Sequence, residues 1–430
     1  MAQPATITSV DIGTSNITSI LAMYDPTLSQ YKILGHMTVP SRGVKKGIVV
    51  DIDQVTACIE DCLEKAERMA GVAATNVIVS VGGPHIASLN SHGIVAIADP
   101  KGDISSDDIE RVIEAAKAVS LPSNRQVLLV SPKQYTVDGQ AEIRSPIGMN
   151  GVRLEVDCHI ITASSTNLRN LDRVLETVDV QNDAFVFSAV ASADCVLTDS
   201  EKDLGVCIVD VGAGKIDMCV YIEGALHHTL SVPIGAKHIT SDLAIGLRLP
   251  LEVAEELKIY LSKHYIPSDG RKALELPDIS SFLAQGEASD YTAKSVYENI
   301  ITARLEEIVE FVQSELEKTH LLKSLPAGVV FVGGGANTIG LLDVAKQVLR
   351  MPVRIGKINM KLTGLSGDLM DPKYACALGL LSHNSEQSQR LSARGRGDVR
   401  SISKLMSGSG SVQMGSILKK VKSFFHQFLP

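Results

Sequence analysis

Two aspartates that each end an apolar run are the residues of this sequence best suited to chemistry. Asp11 lies in VDIGTSNITSIL and Asp210 lies in VDVGAGKIDMCV. In both segments a branched aliphatic residue, a glycine and a short turn of small or polar residues follow the aspartate. Backbone N–H groups can converge on an anion in such turns, and glycine lets a phosphate come close. The pattern predicts two phosphate-binding turns, and two ordinary β-hairpins are the alternative.

The two segments form an internal repeat. They begin at Val10 and Val209, so they lie 209 − 10 = 199 residues apart. A repeat at this distance indicates a duplicated domain rather than a solenoid. The two aspartates would then face each other across a cleft and hold Mg²⁺ mostly through water, because Mg²⁺ dehydrates reluctantly. The predicted phosphate-binding residues are Asp11, Gly13, Thr14, Ser15 and Asn16 in the first turn, and Asp210, Gly212, Gly214 and Lys215 in the second.

A third glycine-rich stretch, VVFVGGGANTIG, contains Gly333, Gly334, Gly335 and Asn337. Its spacing does not match the G-x-G-x-x-G dinucleotide fingerprint. Glycines leave bare backbone, against which an adenine ring could lie flat. The three stretches together predict a site for ATP.

The elements that must position these turns follow from hydrophobic periodicity. Apolar runs predict a three-stranded meander at residues 7–39 and a second at 204–232, each with its aspartate at the end of the first strand. Further strands are predicted at 77–81 and 328–332. Apolar residues at three- and four-residue spacing predict helices at 53–70, 106–118, 168–178, 251–264, 296–317, 341–349 and 374–381.

Charge is distributed unevenly along the 430 residues. The net charge is −8, but residues 384–430 carry eight Lys/Arg against two Asp/Glu, a balance of 8 − 2 = +6. An acidic body argues against nucleic-acid binding, and a basic tail suits an anionic surface. The seven cysteines form no CxxC pair, so buried, reduced thiols are expected rather than a zinc site. No run of about 18 apolar residues is present that would span a bilayer.

The C-terminal segment GSILKKVKSFFHQFLP carries one apolar stripe at helical period. Its large apolar residues lie at offsets 0, 1, 4, 7, 8, 11 and 12 from Ile417. The helix could pack on the body, but the lysines and the polar segment before it favour a membrane surface. The predicted membrane-binding residues are Ile417, Leu418, Lys419, Lys420, Val421, Lys422, Phe424, Phe425, Phe428 and Leu429.

The three glycine-rich stretches occur in the order of the two phosphate motifs and the adenosine motif of the actin, Hsp70 and sugar-kinase superfamily. Within it, the whole chain resembles the FtsA family of bacterial cell-division proteins. The resemblance includes SRGVKKG at 41–47, SPIGMNGVRLEVDCHIIT at 145–162, LGVCIVDVGAGKIDMCVY at 204–221, SVPIGAKHITSDLA at 231–244, LTGLSGDLMDPKYACALGLL at 362–381 and the terminal helix.

The resemblance implies an α/β fold in which two actin-like ATPase domains surround a cleft. The first domain would comprise 1–83, 162–200 and about 362–383, and the second 201–361 with an outer subdomain at about 245–315. Residues 84–161 would be an inserted subdomain, 384–414 a disordered linker, and 415–430 the membrane-targeting helix.

The resemblance also bears on the site. It implies that Glu255 and Lys258, which share one face of a helix, contact the adenosine. Two departures stand out. Lys215 occupies a place where Thr or Ser is usual, and it could lie on phosphate or point to solvent. Residues 186–191 contain neither the Gln nor the Glu that orients the attacking water in actins and Hsp70, so ATP binding with slow or negligible hydrolysis is expected.

The implied function is an ATP-dependent polymer that tethers filaments of the tubulin-like protein FtsZ to the inner face of the cytoplasmic membrane at the division site. Its partners would be the C-terminal peptide of FtsZ, further copies of itself, other division proteins and anionic lipid, but not nucleic acid. A sugar kinase would need a catalytic aspartate base and a sugar pocket, and an Hsp70-like chaperone would need a peptide-binding domain. A relative that serves a pilus machine would generally lack the terminal helix.

Overall fold

The computed structural model describes residues 6–99, 101–266, 274–284, 286 and 291–383. The linker predicted at 384–414 and the helix predicted at 415–430 lie outside these residues. Within the described ranges, no helix is both long enough and apolar enough to cross a bilayer.

Strands form where the sequence has short apolar runs rich in β-branched residues. In chain order they are β1 (Thr6–Ile12), β2 (Asn16–Asp25), β3 (Gln30–Pro40), β4 (Val44–Lys45), β5 (Ile48–Val49), β6 (Asn76–Val81), β7 (Ala87–Ala96), β8 (Arg125–Val137), β9 (Gln140–Ile143), β10 (Arg153–Ser164), β11 (Gln181–Phe187), β12 (Val206–Val211), β13 (Ile216–Ile222), β14 (Ala225–Val232), β15 (Val329–Val332), β16 (Val353–Ile355) and β17 (Leu362–Gly364).

Helices begin and end at residues that satisfy their free backbone groups. The first helix starts where the Asp51 carboxylate accepts from the N–H of Gln54, and it stops at Gly71, which has φ 71°. The helices are α1 (Ile52–Ala70), α2 (Ser106–Lys117), α3 (Ser165–Thr177), α4 (Ser188–Val196), α5 (Asp199–Leu204), α6 (Lys237–Leu247), α7 (Leu251–His264), α8 (Ser280–Leu283), α9 (Ala293–Val296), α10 (Ala303–Lys318), α11 (Leu341–Leu349) and α12 (Ala375–Leu380).

The internal repeat forms the centre of two similar sheets. One sheet has the strand order β11-β6-β1-β2-β3-β17 and the other has β14-β13-β12-β15-β16. In each, the strand that ends in the aspartate pairs antiparallel with the next strand and parallel with a later one. The registers are equivalent, because Asp11 pairs with Thr18 and Asp210 pairs with Asp217. The first sheet packs in one hydrophobic core that also takes in residues of the second sheet, and a separate core packs the rest of the second sheet. The equivalent pairings show that the duplication read from the sequence is also a duplication of structure.

A third sheet lies between the repeats in the chain. Its order is β7-β10-β8-β9, all pairs are antiparallel, and α2 packs on it. A separate core of buried residues fills the space between this sheet and α2. The sheet also contacts β14 of the second repeat, so it is supported by the body as well as by its own core.

Two predicted elements differ from those observed. Leu204 was expected to open the strand of the second repeat, but it ends α5, and the strand begins at Val206. The helix forms because Thr198 and Glu201 make a reciprocal capping box, a Thr-x-x-Glu signal that the apolar run obscured. The helix predicted at 296–317 is also not uniform, since a π-helical turn, Tyr297–Thr302, separates α9 from α10.

Candidate functional site

A cavity of about 1020 Å³ lies between the two repeat sheets. Both aspartate turns, the glycine stretch after β15 and one face of α7 line it. Thus segments more than 300 residues apart meet at one place. The predicted site residues that line the cavity are Asp11, Gly13, Thr14, Ser15, Asn16, Asp210, Gly212, Lys215, Glu255, Lys258, Gly333, Gly334, Gly335 and Asn337.

Asp11 is oriented by two side chains that donate to the same carboxylate oxygen. The hydroxyl of Ser80 donates to Oδ1 over 2.6 Å, and the thiol of Cys376 donates to Oδ1 over 3.4 Å. Ser80 also accepts from the backbone N–H of Ile12 at 3.0 Å, which ties the end of β6 to the end of β1. One oxygen of Asp11 is therefore engaged by the protein, and Oδ2 makes none of these bonds.

Asp210 has a similar arrangement in the second repeat. The hydroxyl of Ser192 donates to its Oδ2 over 2.7 Å. Burial raises the pKa of Asp210, and the negative charge of Asp11 adds to that rise. The positive charge of Lys215 and the hydrogen bond from Ser192 oppose it. The two carboxylates therefore repel each other across the cavity, which a cation placed between them would relieve.

The chemistry of the two carboxylates suits Mg²⁺ that keeps much of its water. In the described part of the chain, no group of three or more His, Cys, Asp or Glu side chains could hold a metal ion. Two carboxylates leave most of an octahedral shell to water and to phosphate oxygens, which is how Mg²⁺ is usually bound beside a nucleotide. Asp11 and Asp210 would be the residues that hold it.

Gly214 is the predicted site residue that does not line the cavity. It packs instead against the first turn, where a Cβ built on Gly214 would lie 2.8 Å from Cγ2 of Thr14. The hydroxyl of Thr14 in turn accepts from the N–H of Gly47 at 3.1 Å. Because Gly214 has no side chain, the two phosphate turns can pack directly against each other.

Lys215 does not point to solvent, so that alternative is wrong. Its side chain is 12% exposed and forms an ion pair with Asp217, which is fully buried. Its Nζ also donates to the hydroxyl of Ser188 over 3.0 Å. The lysine is held because a buried carboxylate needs a paired charge.

The glycine stretch after β15 is a turn of 3₁₀ helix, Gly334–Asn337, rather than an irregular turn. Gly333 has φ 82°, and a Cβ there would overlap the carboxylate of Asp210. Gly334 faces open space, with nothing within 4 Å of an added Cβ. Asn337 donates to the Asp371 carboxylate over 2.9 Å. The stretch thus combines close packing on the second aspartate with a bare face toward the cavity.

Glu255 and Lys258 both reach the cavity from α7. Lys258 Nζ donates to Glu255 over 2.7 Å, to the hydroxyl of Thr240 over 2.9 Å and to the carbonyl oxygen of Ala236 over 3.3 Å. Burial lowers the pKa of Lys258, and the Glu255 carboxylate opposes that shift. These bonds fix the pair in the lining of the cavity.

Comparisons with known proteins match most of the chain. The family model described as "SHS2 domain inserted in FTSA" matches residues 83–162, and the model described as "Cell division protein FtsA" matches residues 207–379. Cell division protein FtsA of Neisseria meningitidis is 37% identical over 377 residues, which cover 87% of this chain and 89% of the relative. The Bacillus subtilis protein is 37% identical over 374 residues, covering 87% and 82%. The chain belongs to the FtsA family.

Membership in the FtsA family assigns the chain a role in cell division. Solved structures confirm the actin-like fold. The PilM–PilN type IV pilus biogenesis complex superposes with TM-score 0.59 at 15% identity, covering 88% of this chain and 98% of the matched chain. MreB5 of Spiroplasma citri bound to ADP superposes with TM-score 0.51 at 12% identity, covering 90% and 98%.

Sequence reasoning missed several residues of this FtsA-family site. Ser80 and Ser192 hold the two aspartates, and no local pattern distinguishes them from other serines. Asp217 had a signal, because it is the one charge in the apolar strand β13, IDMCVYI. Cys376 is buried, as expected of a reduced thiol, and it also belongs to the site because its thiol donates to Asp11. Burial and the Asp11 charge raise the pKa of Cys376 well above its usual range, so it stays a thiol.

Proposed function

We propose that this FtsA-family protein binds Mg·ATP in the cleft and, in that state, assembles into polymers that tether FtsZ filaments to the inner face of the cytoplasmic membrane. The observation that carries the nucleotide part is the meeting of both aspartate turns and the Gly333–Gly335 stretch at one cavity of about 1020 Å³. That volume is at the upper end of small-molecule sites.

Each part of the cavity suits one part of the nucleotide. The phosphate chain would lie between the two turns, where backbone N–H groups and lysines offer positive charge. Mg²⁺ would lie between Asp11 and Asp210 and neutralise phosphate charge. The adenosine would contact Gly333–Gly335, Glu255 and Lys258, because a bare backbone face and polar side chains are what a flat heterocycle with amino and ring nitrogens needs.

Hydrolysis is proposed to be slow. Residues 186–191 cover the end of β11 and the start of α4, and they contain no Gln, Glu or Asp. Ser188 is the polar side chain of that stretch that lines the cavity, and it is engaged by Lys215. Phosphoryl transfer to water depends mostly on positioning and charge stabilisation. The nucleotide would therefore act chiefly as a ligand that favours one assembled state.

The tether is proposed from the sequence of the tail. The segment 415–430 lies outside the described residues, but its apolar stripe and its lysines are typical of a helix that lies on an anionic membrane. One such helix binds weakly, so polymerisation would supply several anchors at once and raise the avidity. The FtsZ peptide would bind the outer part of the second domain, at about 245–315.

Nucleotide binding can be tested by titrating a fluorescent ATP analogue with Mg²⁺ into the full chain. Asp210→Ala should weaken binding by about tenfold or more, since it removes a charged ligand to the cation. Asp61→Ala is the matched control, because Asp61 is an exposed aspartate whose contact is Lys65 on the same helix. Equal affinities in wild type and Asp210→Ala would show that the site is elsewhere.

The tether can be tested with lipid vesicles that contain anionic lipid. FtsZ polymers should sediment with the vesicles only when the intact chain is present, and more strongly with Mg·ATP than without it. Recruitment that is the same with and without the chain would remove the FtsZ assignment and leave the nucleotide site unaffected.

A further inference from the structure

Lys215 extends from the second repeat into the first. It follows β12 in the chain, yet its stem packs against a loop of the other repeat, where a Cβ on Gly47 would lie 2.7 Å from Cδ of Lys215. A Cβ on Gly82 would overlap its Nζ. Both glycines leave room that the lysine fills. Its ammonium group is therefore held at the floor of the cleft, between the two repeats.

The carboxylate that pairs with this ammonium is itself fixed. Asp217 is fully buried and accepts from Lys215 and from the hydroxyl of Ser231. Ser231 also accepts from the backbone N–H of Gly83 over 2.7 Å. Because Asp217 is held at both oxygens, it keeps Lys215 in place without leaving its own site.

The ammonium retains a donor for a further anion. A lysine has three N–H donors, and among the described residues its hydrogen bonds go to Asp217 and Ser188. The same side chain lines the cavity together with Asp210. The charge of Lys215 acts on the cavity because its partner, Asp217, is fully buried and does not line the cavity.

The first repeat lacks this arrangement. Strand register places Asn16 where the second repeat has Lys215, and Thr18 where it has Asp217. Thr18 makes a neutral hydrogen bond with Thr38 over 3.0 Å, and Asn16 is exposed. The buried ion pair is thus specific to the second phosphate turn, at the position where the family resemblance leads one to expect Thr or Ser.

We propose that Lys215 is a resident cation for the phosphate chain of the nucleotide, so that this protein retains much of its ATP affinity when the divalent cation is removed. The inference rests on the proposed nucleotide binding. A fixed ammonium supplies part of the positive charge that Mg²⁺ otherwise supplies, and in a partly buried cleft such a charge is screened less than in water.

The test measures binding of the fluorescent ATP analogue to the full chain with Mg²⁺ and again with EDTA. The informative variant is the double substitution Lys215→Met and Asp217→Asn. It removes both charges and keeps both shapes, so no buried carboxylate is left unpaired. Lys65→Met, on the exposed face of α1, is the matched control for loss of a lysine. Thermal unfolding of each variant shows whether it is folded.

Wild type and the control should lose about tenfold in affinity or less on going from Mg²⁺ to EDTA. The double variant should lose at least about tenfold more than wild type, which is the range expected for one charge-assisted hydrogen bond to phosphate. The same loss in wild type and double variant would overturn the role of Lys215 while leaving the nucleotide site intact. Failure of wild type to bind with Mg²⁺ would instead overturn the proposed function, and this inference with it.

Discussion

Thr14 and Gly214 touch across the cleft, although they belong to different repeats and lie 200 residues apart in the chain. The side chain of Thr14 occupies the space that a Cβ on Gly214 would need, with Cγ2 at 2.8 Å and Oγ1 at 2.9 Å from it. The distance between the two phosphate turns is therefore set by the missing side chain of one residue and the branched side chain of the other.

Substitution of Gly214→Ala should push the two turns apart. Overpacking of this kind costs about 1–3 kcal/mol, and we expect both a lower melting temperature and weaker Mg·ATP binding. Calorimetry and the fluorescent-analogue titration measure the two effects. The double variant Thr14→Ala and Gly214→Ala should recover most of the stability, because it removes Cγ2 and Oγ1. If Gly214→Ala alone behaves as wild type in both measurements, the turns do not depend on this contact.

Turnover of ATP by the purified chain should be far slower than one per second. The reason is that the stretch 186–191 provides no Gln or Glu to position water. Phosphate release, measured with anionic vesicles present, checks the rate. Asp210→Ala, purified in parallel, reports any contaminating ATPase. A rate of many per second that Asp210→Ala abolishes would mean that another residue of the cavity positions the water.

Removal of residues 415–430, or substitution of both Phe424→Asp and Phe425→Asp, should release the protein from anionic vesicles without loss of nucleotide binding. The two phenyl groups each contribute about 1.5 kcal/mol or more of apolar burial, and a carboxylate in the stripe is costly to desolvate. Vesicle co-sedimentation measures the effect. Binding should also weaken at high salt, since each lysine near the surface contributes about 1 kcal/mol.

A matched control for the tail exists in the same segment. Ser423→Asp together with Gln427→Asp adds the same two negative charges, but on the helix predicted from the sequence both positions would lie opposite the apolar stripe. This variant should keep most of the vesicle binding. If it is released as completely as the phenylalanine variant, binding depends on net charge rather than on the apolar face. If the truncated chain still sediments, the anchor lies in another part of the protein.

Stability should fall as the pH falls from 7 to 5, and His159 should account for part of the loss. This histidine is buried between the inserted sheet and β14, with Nδ1 2.9 Å from Asn90 Oδ1 and Nε2 3.0 Å from Thr229 Oγ1. Burial, followed by the charges of Lys133 and two neighbouring histidines, lowers the pKa of His159 to about 3. The unfolded chain therefore takes up a proton near the ordinary histidine pKa while the folded chain does not.

This difference in proton uptake lowers the free energy of unfolding as the pH falls. The stabilisation that neutral His159 provides is fully present above the histidine pKa of the unfolded chain, which is about 6.5. It decreases as the pH drops below that value, by about 2 kcal/mol at pH 5. Urea unfolding of wild type and His159→Gln at both pH values is the measurement. The variant should lose less stability between them, whereas the exposed control His264→Gln should lose as much as wild type. An equal loss in His159→Gln would assign the acid sensitivity to other groups, such as His85, whose pKa burial lowers to about 4.

Much of the fold was predictable from local pattern. The helices at 251–264 and 341–349, the two aspartate turns and, apart from Leu204, the strands of both meanders lie where the sequence predicted them. Each of these elements depends on residues that are close together in the chain. The repeat could also be recognised in the sequence, since the two copies of the hairpin have the same residue types at the same spacing. These are properties of short windows, and sequence alone determined them.

Contacts between distant segments were decided only by the tertiary structure. Cys376 reaches Asp11 from 365 residues away, and Ser80 and Ser192 hold the two aspartates from other elements. The pairing of Lys215 with Asp217 depends on burial. Packing removes water from the Asp217 carboxylate, and the lysine then supplies the charge that this buried group needs. Sequence therefore identified the groups that can bind phosphate, and packing determined that Lys215 lines the cleft while its partner Asp217 is buried outside the lining.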